Sequence, residues 1–322
     1  VDARFADWIG FGRHGCLDYL QRRTERQTTL QDLLPGTRSV VALITCYGPP
    51  TEEAEEAEDD GGRISCYARR RDYHRVIRKR LRALTRVIED ECDGRARGFV
   101  DTGPLSERAY AVQAGLGWIG RNGMLITPDY GSWVFLACVL TDLELPPDRP
   151  PAQDRCGACR RCVTACPTGA IGADGLVDAR RCLSCLTIEN RGEIPLVHRT
   201  ALGTRVFGCD TCQLVCPFNR DTVPVDDPEL APCLPAHMPW RELLALRGHE
   251  ALVERFGGTP VVRAKVHGLL RNACVAAANT GDPQLLPQLD ALAGQPDEDD
   301  TCRVHEHAAW ARQTILKVKH ET

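Results

Sequence analysis

Cys156-Gly157-Ala158-Cys159-Arg160-Arg161-Cys162-Val163-Thr164-Ala165-Cys166-Pro167 decides how this chain is read. The spacing C-x-x-C-x-x-C-x-x-x-C-P is that of the bacterial ferredoxin run, in which three thiolates bind one 4Fe–4S cube and the fourth reaches across to a second. A second cube is therefore needed, and Cys209-x-x-Cys212-x-x-x-Cys216-Pro217 supplies most of its ligands. That run lacks its first cysteine, because Val206 stands three residues before Cys209. A displaced ligand must replace it, and Cys182 and Cys185 both lie upstream. Thiolates suit the task because they are soft, anionic ligands for iron. Zinc also takes C-x-x-C pairs, but it wants four ligands in two separated pairs. Four thiols in one tight loop cannot all close on a single tetrahedral ion. Two cubes form an electron wire, which must feed a reducible centre elsewhere.

The chain has 322 residues and 17 cysteines. In a reducing compartment, clustered thiols hold metal or do chemistry more often than they form disulfides. The eight cysteines outside the 156–216 segment, at positions 16, 46, 66, 92, 138, 233, 274 and 302, are scattered singly and read as small buried apolar groups. Composition is 43% hydrophobic and 26% charged, that of a globular protein and neither disordered nor fibrous. The longest apolar stretches, 40–46 and 134–140, are far shorter than the roughly 20 residues of a membrane-spanning helix. No membrane partner is expected, and with no secretory pattern at the N-terminus the expected compartment is the cytoplasm. Net charge is −4, with an acidic run over 52–60 that reads as a solvated loop. Arg69, Arg70, Arg71, Arg75, Arg78, Lys79, Arg80 and Arg82 follow it. They read as the basic face of a helix or as a phosphate-binding surface.

Upstream of the cysteines, residues 1–148 alternate β-branched runs (39–45, 132–140) with helical patterns (73–92, 105–114), an α/β layout. Pro146-Pro147-Asp148-Arg149-Pro150-Pro151 stops both kinds of element, and the cysteine-rich segment runs over 149–222. Residues 223–322 turn helical, with spans at 240–256, 260–279, 283–292 and 303–318 that resemble at most two HEAT-type units. About three such units are needed for independent stability, so this tail should dock on the rest.

Several motifs together carry a more specific resemblance. They are Val100-Asp101-Thr102-Gly103-Pro104-Leu105-Ser106-Glu107-Arg108, Ala114-Gly115-Leu116-Gly117-Trp118-Ile119-Gly120-Arg121-Asn122, Tyr130-Gly131-Ser132-Trp133, Asp178-Ala179-Arg180-Arg181-Cys182 and Leu186-Thr187-Ile188-Glu189. In these the chain resembles the epoxyqueuosine reductases over nearly its whole length. The resemblance implies an α/β cobalamin-binding catalytic domain, a ferredoxin-like domain with two 4Fe–4S clusters and a HEAT-like helical domain that helps hold tRNA. The implied reaction is reduction of epoxyqueuosine to queuosine at the tRNA wobble position by a monomer fed from an external low-potential electron donor.

By the same resemblance Asp101 is the proton donor and a cobalamin contact, and Arg26, Cys66, Arg108, Ile188 and Glu189 match corrin-binding positions. The family pattern places the displaced ligand at Cys182, where Cys185 stands at a place commonly aromatic. One cube then takes Cys156, Cys159, Cys162 and Cys216, and the other Cys182, Cys209, Cys212 and Cys166. Arg263, Lys265 and Arg271 join the basic helix as candidate tRNA phosphate contacts. As an acid at neutral pH, Asp101 would need a dry pocket or a neighbouring anion to raise its pKa. A plainer role is capping of the following helix. Cys66 is equally readable as a small structural thiol. Two rivals remain at this stage: a corrinoid reductase of the dehalogenase type acting on a small molecule, and a non-catalytic iron–sulfur electron carrier.

Overall fold

The computed structural model describes residues 3–26, 28–49, 61–148, 154–294 and 302–321, so the acidic run over 52–60 and the boundary residues 149–153 lie outside it. Among the described residues there are eight strands: β1 (Ser39–Cys46), β2 (Gly61–Ile64), β3 (Ala96–Phe99), β4 (Trp118–Ile119), β5 (Leu125–Ile126), β6 (Val134–Thr141), β7 (Arg205–Phe207) and β8 (His237–Pro239).

The first sheet has the order β1-β6-β3 and is antiparallel throughout, with Val40 opposite Leu140 and Phe99 opposite Cys138. Its central strand explains the unbroken apolar run over 134–140. Phe135, Ala137 and Val139 face Val76, Ile77 and Leu81 of the helix Tyr73–Glu91. Cys138 and Leu140 point the other way, onto Phe99, Leu105 and the short helix Leu30–Leu33. A strand buried on both faces does not alternate. The alternation of strands and helices along the chain therefore builds a helix-covered antiparallel sheet. The helix Tyr73–Glu91 starts at Asp72, whose carboxylate accepts the His74 backbone N–H at 3.0 Å.

A second sheet, β7-β2-β8, stitches the three sequence segments together. β2 comes from the front segment, pairs parallel with β7 of the cysteine-rich segment and antiparallel with β8 of the tail. Gly61 permits the close approach, since a Cβ there would strike the Met238 backbone.

The tail is centred on the helix Lys265–Thr280, buried continuously from Gly268 to Ala278, and ends at Gly281 in the left-handed region (φ 70°). A helix apolar nearly all round must be enclosed. It shares one core with Leu183, Leu186, Ile194, Leu202, Val206 and Phe207 of the cysteine-rich segment. Docking, expected from a tail too short to stand alone, is thus what the packing shows. Asn272 pins it by donating to the Thr187 and Val206 carbonyls, both at 2.8 Å. The single helix expected over 240–256 is instead two, Trp240–Leu244 and Gly248–Phe256, broken where Gly248 takes a positive φ of 70°. No helix among the described residues is long and apolar enough to cross a membrane.

Candidate active site and cluster-binding thiols

The thiols fall into two neighbourhoods of four. Cys216 lies within electrostatic reach of Cys156, Cys162 and Cys159. Cys182 lies within reach of Cys209 and Cys166, and Cys212 of Cys209 and Cys182. Cys212 also feels Cys162, so the two groups are adjacent. Among the described residues no three His, Cys, Asp or Glu side chains converge as a single ion would require. Thiols set around a four-iron cube are spread over a wider shell than the ~2.3 Å bonds of a zinc site. Burial pushes the Cys182, Cys212 and Cys216 thiols up, so loading with iron must displace their protons. The Ala170 amide donates to Cys166 Sγ at 3.2 Å, the type of contact that stabilises a thiolate ligand. Trp118, Ile126 and Phe218 pack round Cys156 and Cys216 and shield that group from water. Cys185 lies within electrostatic reach of Cys182 as well, but its sulfur meets that of Cys16 at 3.9 Å.

Asp101 lies just beyond β3, with an unusual positive φ of 53° that aspartate tolerates better than most residues. It does not cap the following helix, which starts at Glu107 after Ser106. Its carboxylate, 54% exposed, instead accepts from two side chains at the start of the helix Tyr73–Glu91. His74 Nε2 is 3.0 Å and the Tyr73 hydroxyl 2.8 Å from the same oxygen, Oδ2. On its other side His74 Nδ1 meets Asp72 at 2.8 Å. The electrostatics reverse the condition set for Asp101 as an acid. The His74 hydrogen bond, against burial and with help from Tyr73, holds its carboxyl below the usual carboxylate range. Burial alone would push His74 down, but Asp101 and Asp72 outweigh it and raise it to about 9. The stored proton therefore sits on the imidazole between two carboxylates.

The floor of this site is aromatic. Tyr73 stacks on Phe135 with centroids 4.1 Å apart, and Tyr67 lies edge-on to both Tyr73 and Phe135. Opposite stands Arg263, paired with Glu189 at 2.5 Å and within the field of Asp101 and Tyr19. The cleft thus draws on residues 19, 67, 73, 74, 101, 189 and 263. The sequence reading does not single out Tyr19, Tyr67, Tyr73 or His74. The available signal was Asp72-Tyr73-His74, two titratable rings at the first turn of a long helix.

Other expected residues sort differently. Glu189 joins the cleft. Arg108 is exposed and donates to the Gly123 carbonyl at 2.6 Å, and Arg26 is exposed at the end of the helix Asp18–Arg26. Cys66 is fully buried in the core beneath the first sheet, and Ile188 is 7% exposed. The Cys66 backbone N–H donates to Asp210 at 2.7 Å, and its sulfur lies 3.7 Å from Arg70 Nη2. Arg271 is no phosphate contact: it is fully buried and donates to the Leu186, Asn190 and Gly192 carbonyls. Arg69 and Arg70 are buried as well, and Lys79 and Arg80 are engaged by Asp227 and Glu229. Exposed arginines on this helix are Arg75, Arg78, Arg82 and Arg86, with Arg71 just before it. Arg78 and Arg82 join Arg97 along a cavity of about 430 Å³ that Val100, Thr102 and Gly103 also line, without Asp101.

Comparison with known proteins bears on this geometry. A family model described as "Epoxyqueuosine reductase QueG, DUF1730" matches residues 27–102, and one described as "4Fe-4S double cluster binding domain" matches residues 155–219. The epoxyqueuosine reductase of Pseudomonas aeruginosa is 38% identical over 316 residues, 96% of this chain and 86% of that protein. That of Escherichia coli K12 is 37% identical over 308 residues, 94% of this chain and 80% of that protein. An epoxyqueuosine reductase crystallised with an epoxyqueuosine-modified tRNA-Tyr stem loop superposes with a TM-score of 0.85 at 35% identity, over 98% of this chain and 84% of that one. A Bacillus subtilis epoxyqueuosine reductase, solved with an aspartate catalytic loop swung out of the active site, gives a TM-score of 0.81 at 36% identity, over 91% of this chain and 77% of that one. Likeness of this degree along nearly the whole length, with a double-cluster domain where the thiols gather, places the chain in the epoxyqueuosine reductase family.

Proposed function

We propose that this chain reduces epoxyqueuosine to queuosine at the wobble position of a tRNA anticodon, as a monomer supplied by an external low-potential donor. The observation that carries the reading is the superposition, over 98% of the chain, on an epoxyqueuosine reductase holding an epoxyqueuosine-modified stem loop. The substrate then enters beside Asp101, and Arg75, Arg78, Arg82 and Lys265 are exposed cations available to its phosphates.

A corrin fits the residues at one telling place. The Ser65 hydroxyl is buried without a hydrogen-bond partner among the described residues, and Gly208 (φ 75°) lies against it, where a Cβ would collide. The Gly208 N–H donates to Thr187 Oγ1 at 2.9 Å, which puts this orphan against the 187–189 segment. A cofactor edged with amides could satisfy such a hydroxyl. Ser65, with the polar ends of Glu189, Arg26 and Arg108, would hold it. When bound, the cubes supply single electrons and the corrin a low-potential cobalt centre to receive them.

Converting the epoxide to an alkene consumes two electrons and two protons and releases water. The chain's own residues manage the proton. His74 keeps one at Nε2 against Asp101 Oδ2, and Tyr73 donates to the same oxygen. Asp101, ionised and half exposed, passes it toward the bound base, while Asp72 holds the imidazole in orientation. The rings of Tyr67, Tyr73 and Phe135 exclude water from one wall. Anaerobic turnover of epoxyqueuosine-containing tRNA, with and without added cobalamin, tests the reading. Queuosine should form only with cobalamin present, and inactivity of the fully loaded protein overturns it.

A further inference from the structure

Cys16 connects the helices Ala3–Gly10 and Asp18–Arg26, and Cys185 is the third residue of the helix Leu183–Ile188. Their sulfurs are 3.9 Å apart across 169 positions of sequence, and neither belongs to the two groups of four thiols. They meet in a built seam. Trp8 Nε1 donates to the Val177 carbonyl at 2.6 Å, Arg13 pairs with Asp174 at 2.6 Å and the Ala179 N–H donates to the Arg13 carbonyl at 2.8 Å. These contacts hold the two thiols together, so joining them costs little further ordering. Cys16 is exposed to a dissolved oxidant.

We propose that Cys16 and Cys185 form a reversible disulfide that locks the N-terminal helices onto the cluster-bearing segment. The oxidant is a small-molecule disulfide of the glutathione class. The Cys16 thiolate attacks one glutathione sulfur and expels a glutathione thiolate. Cys185, losing its proton, then attacks Cys16 Sγ and expels the second glutathione. In sum two protons and two electrons leave the protein, one S–S bond forms and one is broken. The Cys185 hydrogen bond lowers the Cys16 thiol to about 7, so a thiolate is at hand near neutrality. Side-chain rotation must bring the sulfurs from 3.9 Å to about 2.05 Å. The lock would act between the two halves of the machinery: Cys185 lies one turn after Cys182 and one before Glu189, and Tyr19 follows Cys16 on the other side.

The test uses holoprotein equilibrated without oxygen in glutathione buffers of increasing oxidised fraction, then alkylated and digested without reductant. A peptide pair joined through Cys16 and Cys185 should appear in one reversible step while the iron content stays constant. Amide exchange over residues 13–26 should slow several-fold as it forms. In Cys185→Ser the joined pair should vanish and Cys16 should carry glutathione instead. Two results would overturn the proposal: both thiols alkylated at the most oxidising poise, or loss of about half the iron in Cys185→Ser, which would make Cys185 a cluster ligand.

Discussion

The cysteine-rich segment and the surroundings of Asp101 differ in how they are encoded. Seven of the eight thiols assigned to the clusters come from two short runs whose spacing is itself the ligand geometry. The cleft gathers Tyr19, Tyr67, Tyr73, His74, Asp101, Glu189 and Arg263 from six separate stretches, brought together by two sheets and a docked tail. A metal cluster demands a fixed arrangement of a few identical ligands, which a tight loop can supply. A proton-handling site demands a particular environment, which only packing supplies.

The sharpest way to break this comparison is at the one ligand that spacing left open. Cys182→Ala should lose one whole cube, about half of roughly eight irons, and Cys185→Ala should lose none. Iron analysis decides it, and the reverse result would return the displaced ligand to Cys185. Asp101→Asn should keep iron and bound cobalamin while kcat falls by about 10²–10⁴-fold, the usual worth of a positioned proton donor. Full turnover would move the proton to another route.

His74→Gln tests whether Asp101 works alone. Turnover should fall by about 10²-fold with KM nearly unchanged. Stability measured against pH gives a second readout. His74 is raised from 6.5 to about 9 in the folded protein, so its stabilisation is complete below about pH 6.5 and disappears as pH climbs through about 9. That decline should be missing in His74→Gln.

The smallest expected effects separate the two kinds of arginine. Reversing Arg75 or Arg82 should lower the salt slope of tRNA binding by about one unit per phosphate contact and leave Tm within a degree or two. Arg271→Met should do the opposite. It orphans buried carbonyls at a cost of about 3 kcal/mol, read as a lower Tm with an unchanged salt slope.

Legibility followed the range of the interactions. β6 and the helix Tyr73–Glu91 were readable because burial on both faces and on one face leaves a local pattern of apolar residues. Asp101 was readable only through its motif. Nothing adjacent to it announces His74, twenty-seven positions earlier, and so the direction of its pKa came out opposite to the one an isolated acid requires. The basic stretch misled for a related reason. Charge is visible in a sequence and burial is not, so Arg69, Arg70 and Arg271 counted as surface until the core enclosed them.

Taken alone, the sequence determined that the cysteine runs have the spacing of a double 4Fe–4S domain, that strands and helices fill the front segment, and that the tail must dock, since spacing and periodicity are properties of neighbours along the chain. Only the tertiary structure decided that three segments share one sheet through β2, that a cation between two carboxylates holds the proton, and that Cys16 faces Cys185. Each of those rests on groups far apart in the chain, whose meeting is fixed by packing and hydrogen bonding once the core has formed.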